Sequence, residues 1–294
     1  MENNQNQSPT PSTSPTQPAP SAPSATPAPG SSGPTRRKGG LIIGAVVLLA
    51  LALIFALWYF LMRPQPSPEV QTQAPTSTLV IGTDATFEPL EYVDENNKLA
   101  GYDIDLANKL GEELGAKVTF KNIPWDDIFK ALEDKEVDMI ISSVTITDER
   151  KKLYDFSESY LNAGQIIMTQ KDNTTITSAE SLKGKRIAVQ EQTTNETEAL
   201  KYTSSELVIR YPDFIQAVKA LVDGKADAIL SELSGAKKII TDNPTLKIAS
   251  EPITDEYYGV VFRKGDTNRQ KINKALSTLK ANNTLTDLKE KWLE

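Results

Sequence analysis

A short pattern occurs twice in this chain. Ala131-Leu132-Glu133-Asp134-Lys135-Glu136-Val137-Asp138-Met139-Ile140-Ile141-Ser142 aligns with Ala220-Leu221-Val222-Asp223-Gly224-Lys225-Ala226-Asp227-Ala228-Ile229-Leu230-Ser231, and Ala, Leu, Asp, Asp, Ile and Ser recur in register. Each copy reads as a helix end running into a short buried strand. One such match alone is only suggestive. It gains weight because polar candidates follow in both copies, Ser143 and Thr145 in the first and Glu232 in the second. Each copy also closes a set of alternating strands and helices. In the first set Leu79-Val80-Ile81-Gly82-Thr83 is a strand, and Asp103 can cap a helix with Ile104, Ala107, Leu110 and Leu114 inward. Val118-Thr119-Phe120, a helix from Trp125 to Leu132, and the strand Val137 to Ile141 complete it. The second set starts at Lys185-Arg186-Ile187-Ala188-Val189. A helix capped by Thr193 or Thr194 follows, then the strand Leu207-Val208-Ile209, a helix from Pro212 to near Val222, and Ala226 to Leu230. Strand, helix, strand, helix, strand is the grammar of a parallel α/β sheet, so two α/β lobes are expected. After Leu246-Lys247-Ile248 the chain offers a strand, Tyr257 to Phe262, and two amphipathic helices, Ile272 to Leu279 and Leu285 to Trp292. These do not start a third set, so they are expected to return to the first lobe. The expected lobes are 78–160 with 259–294, and 165–253, joined by two crossings near 160–164 and 254–258 with a cleft between.

The residues before Thr78 have a different texture. Residues 1–38 are rich in Pro, Ser and Thr and cannot bury enough apolar surface to offset ordering entropy; a disordered tail is expected. Arg36-Arg37-Lys38 then precede an uncharged apolar run, Gly39 to Met62, with Trp58 and Tyr59 near its far end. About 20 apolar residues cross the hydrocarbon core, and the charge asymmetry places the N-terminus in the cytoplasm. A cleaved signal peptide is the alternative, but its apolar core is about 7–15 residues. The expectation is a single-pass anchor in the cell membrane with the rest of the chain outside. Residues 63–77, with Pro64, Pro66, Pro68 and Pro75, read as a semi-extended spacer.

Composition closes off several chemistries. With no Cys and no His among 294 residues, thiol nucleophiles, disulfides, a Ser-His triad and imidazole or thiolate metal sites are excluded. No metal and no cofactor are expected. The net charge is −7, and residues 1–77 hold four basic against two acidic residues, which leaves −9 for the rest. An acidic body with few aromatics makes nucleic acid an unsuitable partner.

Ligands of open α/β sheets bind where strands end. Facing lobes bring four loops to one cleft: Asp84–Glu88, Ser142–Arg150, Gln190–Asn195 and Ser231–Glu232. Arg150 offers a planar fork suited to a carboxylate, and Glu232 suits an ammonium group. Phe87 and Trp125 can flank a side chain or simply belong to the core. Asp84 can meet a polar or cationic tip, or serve as an Asx-turn. This set is complementary to a zwitterionic amino acid.

The chain closely resembles the solute-binding proteins of ABC transporters for polar amino acids, the periplasmic binding protein-like type II fold, over about residues 78–294. The resemblance rests on Gly101-Tyr102-Asp103-Ile104-Asp105-Leu106, on Thr145-Ile146-Thr147-Asp148-Glu149-Arg150 followed by Tyr154-Asp155-Phe156-Ser157, and on the closing Leu285…Leu288…Lys291-Trp292-Leu293. It implies that Arg150 takes a ligand α-carboxylate with help from Thr145 and Thr194. It also implies that the Ser143 carbonyl and Glu232 take the α-ammonium. Asp84, Phe87 and Trp125 fall where the family meets the ligand side chain, and Gln190 holds a position that varies with ligand class. Family members often carry Asp where Glu232 stands. The four loops hold no Lys or Arg besides Arg150, so arginine, lysine or histidine is expected ahead of glutamine.

The function expected is a membrane-anchored binding protein that delivers an amino acid to an ABC permease. Two alternatives use the same fold: a sensor subunit that signals through a separate partner, and a dehydratase-type enzyme. Without His, the enzyme would need carboxylates or Lys for proton transfer.

Overall fold

The computed structural model describes residues 39–63 and 77–294. The expected disordered tail and most of the spacer lie outside them. α1 (Gly39–Met62) is one continuous helix over the apolar run, with its side chains described from Val47 onward. Among the described residues no helix is long and apolar enough to cross a membrane. The apolarity of the whole run is a property of the sequence.

The body of the chain begins with β1 (Ser77–Thr83), β2 (Thr86–Phe87), β3 (Glu91–Val93), β4 (Leu99–Ala100), α2 (Tyr102–Leu114), β5 (Ala116–Asn122), α3 (Trp125–Glu133) and β6 (Met139–Ile140). Then come α4 (Asp148–Leu153), β7 (Tyr154–Phe156) and β8 (Leu161–Asn162). The second lobe holds β9 (Gln165–Gln170), β10 (Ile187–Gln190), α5 (Thr194–Tyr202), β11 (Val208–Tyr211), α6 (Phe214–Val222), β12 (Ala228–Glu232), α7 (Leu233–Asp242) and β13 (Leu246–Ile248). The chain returns through β14 (Tyr257–Tyr258) to β15 (Val261–Arg263), α8 (Asn268–Ala281) and α9 (Thr284–Leu293).

Each lobe is built on a five-stranded sheet, in the orders β5-β1-β6-β15-β7 and β11-β10-β12-β9-β13. The first three strands of each are parallel and follow the same second-first-third order. The sheets are mixed rather than wholly parallel. β15 and β9, which follow the two crossings, enter antiparallel to their neighbours. β8 and β14 run side by side in the crossings themselves.

The sequence repeat is a structural repeat. Asp138 accepts from the Val80 amide at 2.8 Å, and Asp227 accepts from the Arg186 amide at 2.8 Å. Both aspartates thus fasten the third strand of a lobe to the start of the first. Lys135 and Gly224, aligned in the repeat, both turn the chain in the left-handed region, at φ 62° and 71°. That conformation costs a lysine more than a glycine.

Side chains alternate across each sheet. Met139 and Ile141 join Leu106, Leu110, Ile272 and Leu276 on one face, whereas Ile140 joins Ile128, Leu132 and Phe156 on the other. Helices on both faces explain why these strands read as unbroken apolar runs. The C-terminal helices therefore complete the first lobe, with Leu279 and Leu288 in its core. In the second lobe Ile229 faces Phe214 and Leu221, while Leu230 faces Leu182 and Ala199.

One expectation fails locally. Asp103 does not cap α2: Gly101 occupies the N-cap, and no side chain bonds the helix end. The Asp103 carboxylate instead accepts from the Ser143 amide at 2.6 Å and the Tyr160 hydroxyl at 2.8 Å. A carboxylate in the first turn still favours the helix electrostatically.

Candidate functional site

Asp84, Phe87, Trp125, Ser143, Thr145, Arg150, Gln190, Thr194 and Glu232 all line one cavity between the lobes. The lining also includes Glu91, Asn195, Phe214 and Tyr258, none of which the sequence had marked as a site residue.

Arg150 is placed by the start of α4. Thr147 caps that helix by accepting from the Arg150 amide at 3.1 Å, and the guanidinium donates to the Thr145 carbonyl at 3.0 Å. Its carbon lies 5.4 Å from the centre of the Trp125 ring and 5.5 Å from that of Phe129. Aromatic faces hold a cation without neutralising it. Burial pulls the guanidinium down to about 10, still charged at neutral pH. It forms no ion pair among the described residues.

Glu232 ends β12 on the opposite lobe and is buried. Burial first, and then the charge of Glu256, push its carboxyl up to about 7. Among the described residues it too lacks an ion-pair partner. Beside it the Asn195 amide nitrogen and the Tyr258 hydroxyl are buried and make no hydrogen bond of normal geometry among the described residues. Polar atoms in that state are costly unless a ligand or water meets them.

The far end of the cavity is set by Asp84 and Gln190. The Asp84 amide donates to Ser142 Oγ at 2.9 Å, and Gln190 Nε2 donates to Asp84 Oδ2 at 3.1 Å from across the cleft. Burial raises the Asp84 carboxyl, and the Gln190 bond opposes that rise. Phe87 and Phe214 meet edge to face at 4.8 Å, one from each lobe.

Several further bonds span the cleft. Trp125 Nε1 donates to the Gln192 carbonyl at 3.1 Å, and Gln192 Nε2 to Asp126 at 3.0 Å. Thr145 and Thr194 hydroxyls lie 3.4 Å apart, and Lys238 pairs with Glu88 at 3.2 Å. Thr193 rather than Thr194 caps α5, which leaves the Thr194 hydroxyl facing the cavity. The lobes are therefore closed on one another. Trp125 does double duty, buried in the first lobe's core while it lines the cavity.

Ser143 is held unlike its neighbours. It sits in the left-handed region at φ 48°, with its hydroxyl turned to Glu91 at 2.9 Å. Its hydroxyl is thus committed to the Glu91 carboxyl.

A cation on one wall, a carboxyl on the other and bonds across the gap define a two-lobed protein that closes over a small dipolar solute. The comparisons agree with that class. The chain belongs to the bacterial extracellular solute-binding proteins, family 3, matched over residues 79–294. It is 34% identical to the L-cystine-binding protein TcyJ of Escherichia coli (strain K12), over 73% of this chain and 82% of that protein. A solved structure of an ancestral arginine-binding protein bound to arginine is 40% identical and superposes with a TM-score of 0.70, covering 74% of this chain and 98% of the other. An ancestral arginine-binding protein bound to glutamine is 41% identical, also at a TM-score of 0.70, covering 73% and 97%. The resemblance read from the sequence motifs is thereby borne out. The names these relatives carry are those of binding proteins, and this chain is a binding protein rather than an enzyme.

Proposed function

We propose that this protein is a membrane-anchored receptor for a polar, preferentially basic, L-amino acid, which it passes to an ABC permease. The observation that carries the amino-acid reading is the pairing of unneutralised Arg150 and Glu232 on opposite walls of one closed cavity. Arg150 would hold the α-carboxylate through two parallel bonds, with Thr145 and Thr194 beside it. Glu232, with the Ser143 carbonyl, would hold the α-ammonium. Relatives named for cystine, arginine and histidine support this substrate class.

The preference for a basic side chain rests on charge. The cavity lining carries the Asp84 and Glu232 carboxyls against Arg150 as the one cation among the described residues. A ligand with a second carboxylate would bury it unpaired, whereas a cationic tip would satisfy Asp84. The Asp84–Gln190 pair also offers an acceptor and a donor to an amide, which keeps glutamine as the second candidate.

Anchoring follows from Arg36-Arg37-Lys38 ahead of the helix Gly39–Met62 and only Arg63 after it, a pattern that favours a cytoplasmic N-terminus. The binding lobes would then face outward. Calorimetry of the full-length chain against the twenty amino acids tests the ligand. Arginine, lysine or histidine should bind with glutamine weaker, and tight glutamate binding with no response to arginine would reject the basic preference. Protease added to intact cells tests the anchor: the lobes should be released and the tail protected.

A further inference from the structure

At the first lobe's side of the cavity, Glu91 in its lining and Asp103 beside it are two carboxyl groups with no counter-ion among the described residues. Glu91 comes from β3 and is 2% exposed, and Asp103 comes from α2 and is 0% exposed. Ser143 Oγ lies 2.9 Å from Glu91 and 3.5 Å from Asp103, so one hydroxyl sits between them. Every donor that reaches the pair is neutral. Ser142 Oγ donates to Glu91 at 3.2 Å, and the Ser143 amide and Tyr160 hydroxyl donate to Asp103. Neither carboxyl has a Lys or Arg within 4 Å among the described residues. The other titratable groups that face the pair are Asp84, Tyr102, Tyr160 and Tyr258, none of them cationic.

Two like charges buried together without a cation cannot both ionise. Asp103 receives the backbone amide and the tyrosine hydroxyl, bonds that favour a charged oxygen. Glu91 receives only serine hydroxyls. The proton therefore belongs on Glu91. Burial raises both groups, Glu91 well above its ordinary range and Asp103 to about 6.

The pair is bonded to three parts of the first lobe at or beside the cavity. Through Ser142 it reaches the Asp84 amide, through Ser143 it fixes a left-handed residue, and through Tyr160 it reaches the first crossing. We propose that Glu91 and Asp103 share one buried proton and act as positioning residues that hold Asp84 and Ser143 in their ligand-binding geometry. This rests on the amino-acid-binding reading for its consequence, but not for the proton itself.

A carboxyl raised in the folded state gives stability that falls as pH climbs from the unfolded value toward the folded one. Thermal melts of the full-length chain without ligand, from pH 5 to pH 9, read this directly. Glu91→Gln keeps the shape and removes the titration. It should melt close to wild type at pH 5 and roughly 3 °C or more above it at pH 9. Parallel melting profiles for the two proteins would overturn the shared proton. Arginine affinity reads the positioning role. Glu91→Gln should stay within about threefold of wild type at pH 7, while Glu91→Ala, which frees both serines, should lose about tenfold. Wild-type affinity in Glu91→Ala would overturn positioning. If Glu91→Ala does not fold, Asp103→Asn takes its place, since it exchanges the acceptor of the Ser143 amide and should shift arginine affinity without mimicking wild type's pH profile. Failure of wild type to bind arginine, lysine, histidine or glutamine would reject the ligand reading while the melts still judge the pair.

Discussion

The two lobes share a scaffold and differ in what they put at its edge. Both run second-first-third through their parallel strands, and both fasten the third strand with an aspartate that follows a left-handed turn. After that strand they diverge. In the first lobe, β6 opens into Ser142–Arg150, which turns through a left-handed serine before the short helix that presents a guanidinium. In the second lobe, β12 stops at Glu232 and α7 starts at the next residue. One edge thus carries a cation on a long loop backed by aromatic rings, and the other carries a bare carboxyl at a strand end. The scaffold sets where the groups meet, and the loop length after one strand sets which charge arrives there.

The comparison predicts which half is more fragile. Arg150→Ala removes the one cation that lines the cavity among the described residues and should cost about 2–5 kcal/mol of ligand binding, as truncating one side of a buried charge pair does. Arg150→Lys should also bind poorly, because an ammonium reproduces neither the fork nor the stacking on Trp125. Calorimetry with arginine checks both, and near-native affinity in both would dissolve the difference between the edges.

Glu232 tests the other edge, with a pH dependence of defined sign. Between the closed lobes its carboxyl is raised to about 7, so it is partly protonated at neutral pH. Pairing with an ammonium needs the ionised form, and affinity should tighten as pH rises from 6 to 8, with proton release on binding. The same rise makes ligand-free stability fall as pH climbs from the ordinary glutamate range toward 7. Glu232→Gln should weaken binding by about 2 kcal/mol and flatten the affinity profile over that range. A flat wild-type profile would argue that the ammonium is held elsewhere.

Much of this was legible in the sequence for local reasons. Strands buried on both faces and helices with one apolar face announce themselves within a few residues, so the alternation and the repeat were readable. Arg150 and Glu232 were readable because each follows a buried strand. The Glu91–Asp103 pair was not. Its parts come from residues 91, 103, 142, 143 and 160, and nothing near any one of them records the others. Asp103 near the start of α2 looks like a cap until the fold delivers Ser143 to it. Asn195 and Tyr258 sit in a helix start and a crossing, where polar residues ordinarily need no explanation. The antiparallel entry of β15 and β9 was hidden for a related reason, since it depends on where the crossings send the chain.

Asp84 lies on the first lobe and its partner Gln190 on the second, so the side-chain end of the cavity is shared between the edges. Asp84→Asn should weaken arginine by about 1.5–3 kcal/mol, the range for hydrogen bonds to charged groups, and glutamine by less than 1 kcal/mol. Equal losses for the two ligands would assign Asp84 to the frame of the cavity rather than to its selectivity.

The smallest effect separates closing from folding. Gly235 lies in α7 of the second lobe, and a Cβ there would come 2.7 Å from the Phe87 ring of the first. Phe87 has little room to retreat, since its ring already meets Phe214 at 4.8 Å and it packs against the cores of both lobes. Within the second lobe alone, however, alanine is the better residue in a helix, by about 0.5–1 kcal/mol over glycine. Gly235→Ala should therefore move two measurements in opposite directions. The ligand-free protein should melt slightly higher, while arginine affinity falls by about 1 kcal/mol as the closed form becomes overpacked. Small-angle scattering at saturating arginine should show the variant reaching the same closed dimensions at higher ligand concentration. A loss of stability together with affinity would mean that Gly235 serves its own lobe. Unchanged affinity would mean that Phe87 yields, and that the contact between the two edges does not govern closure.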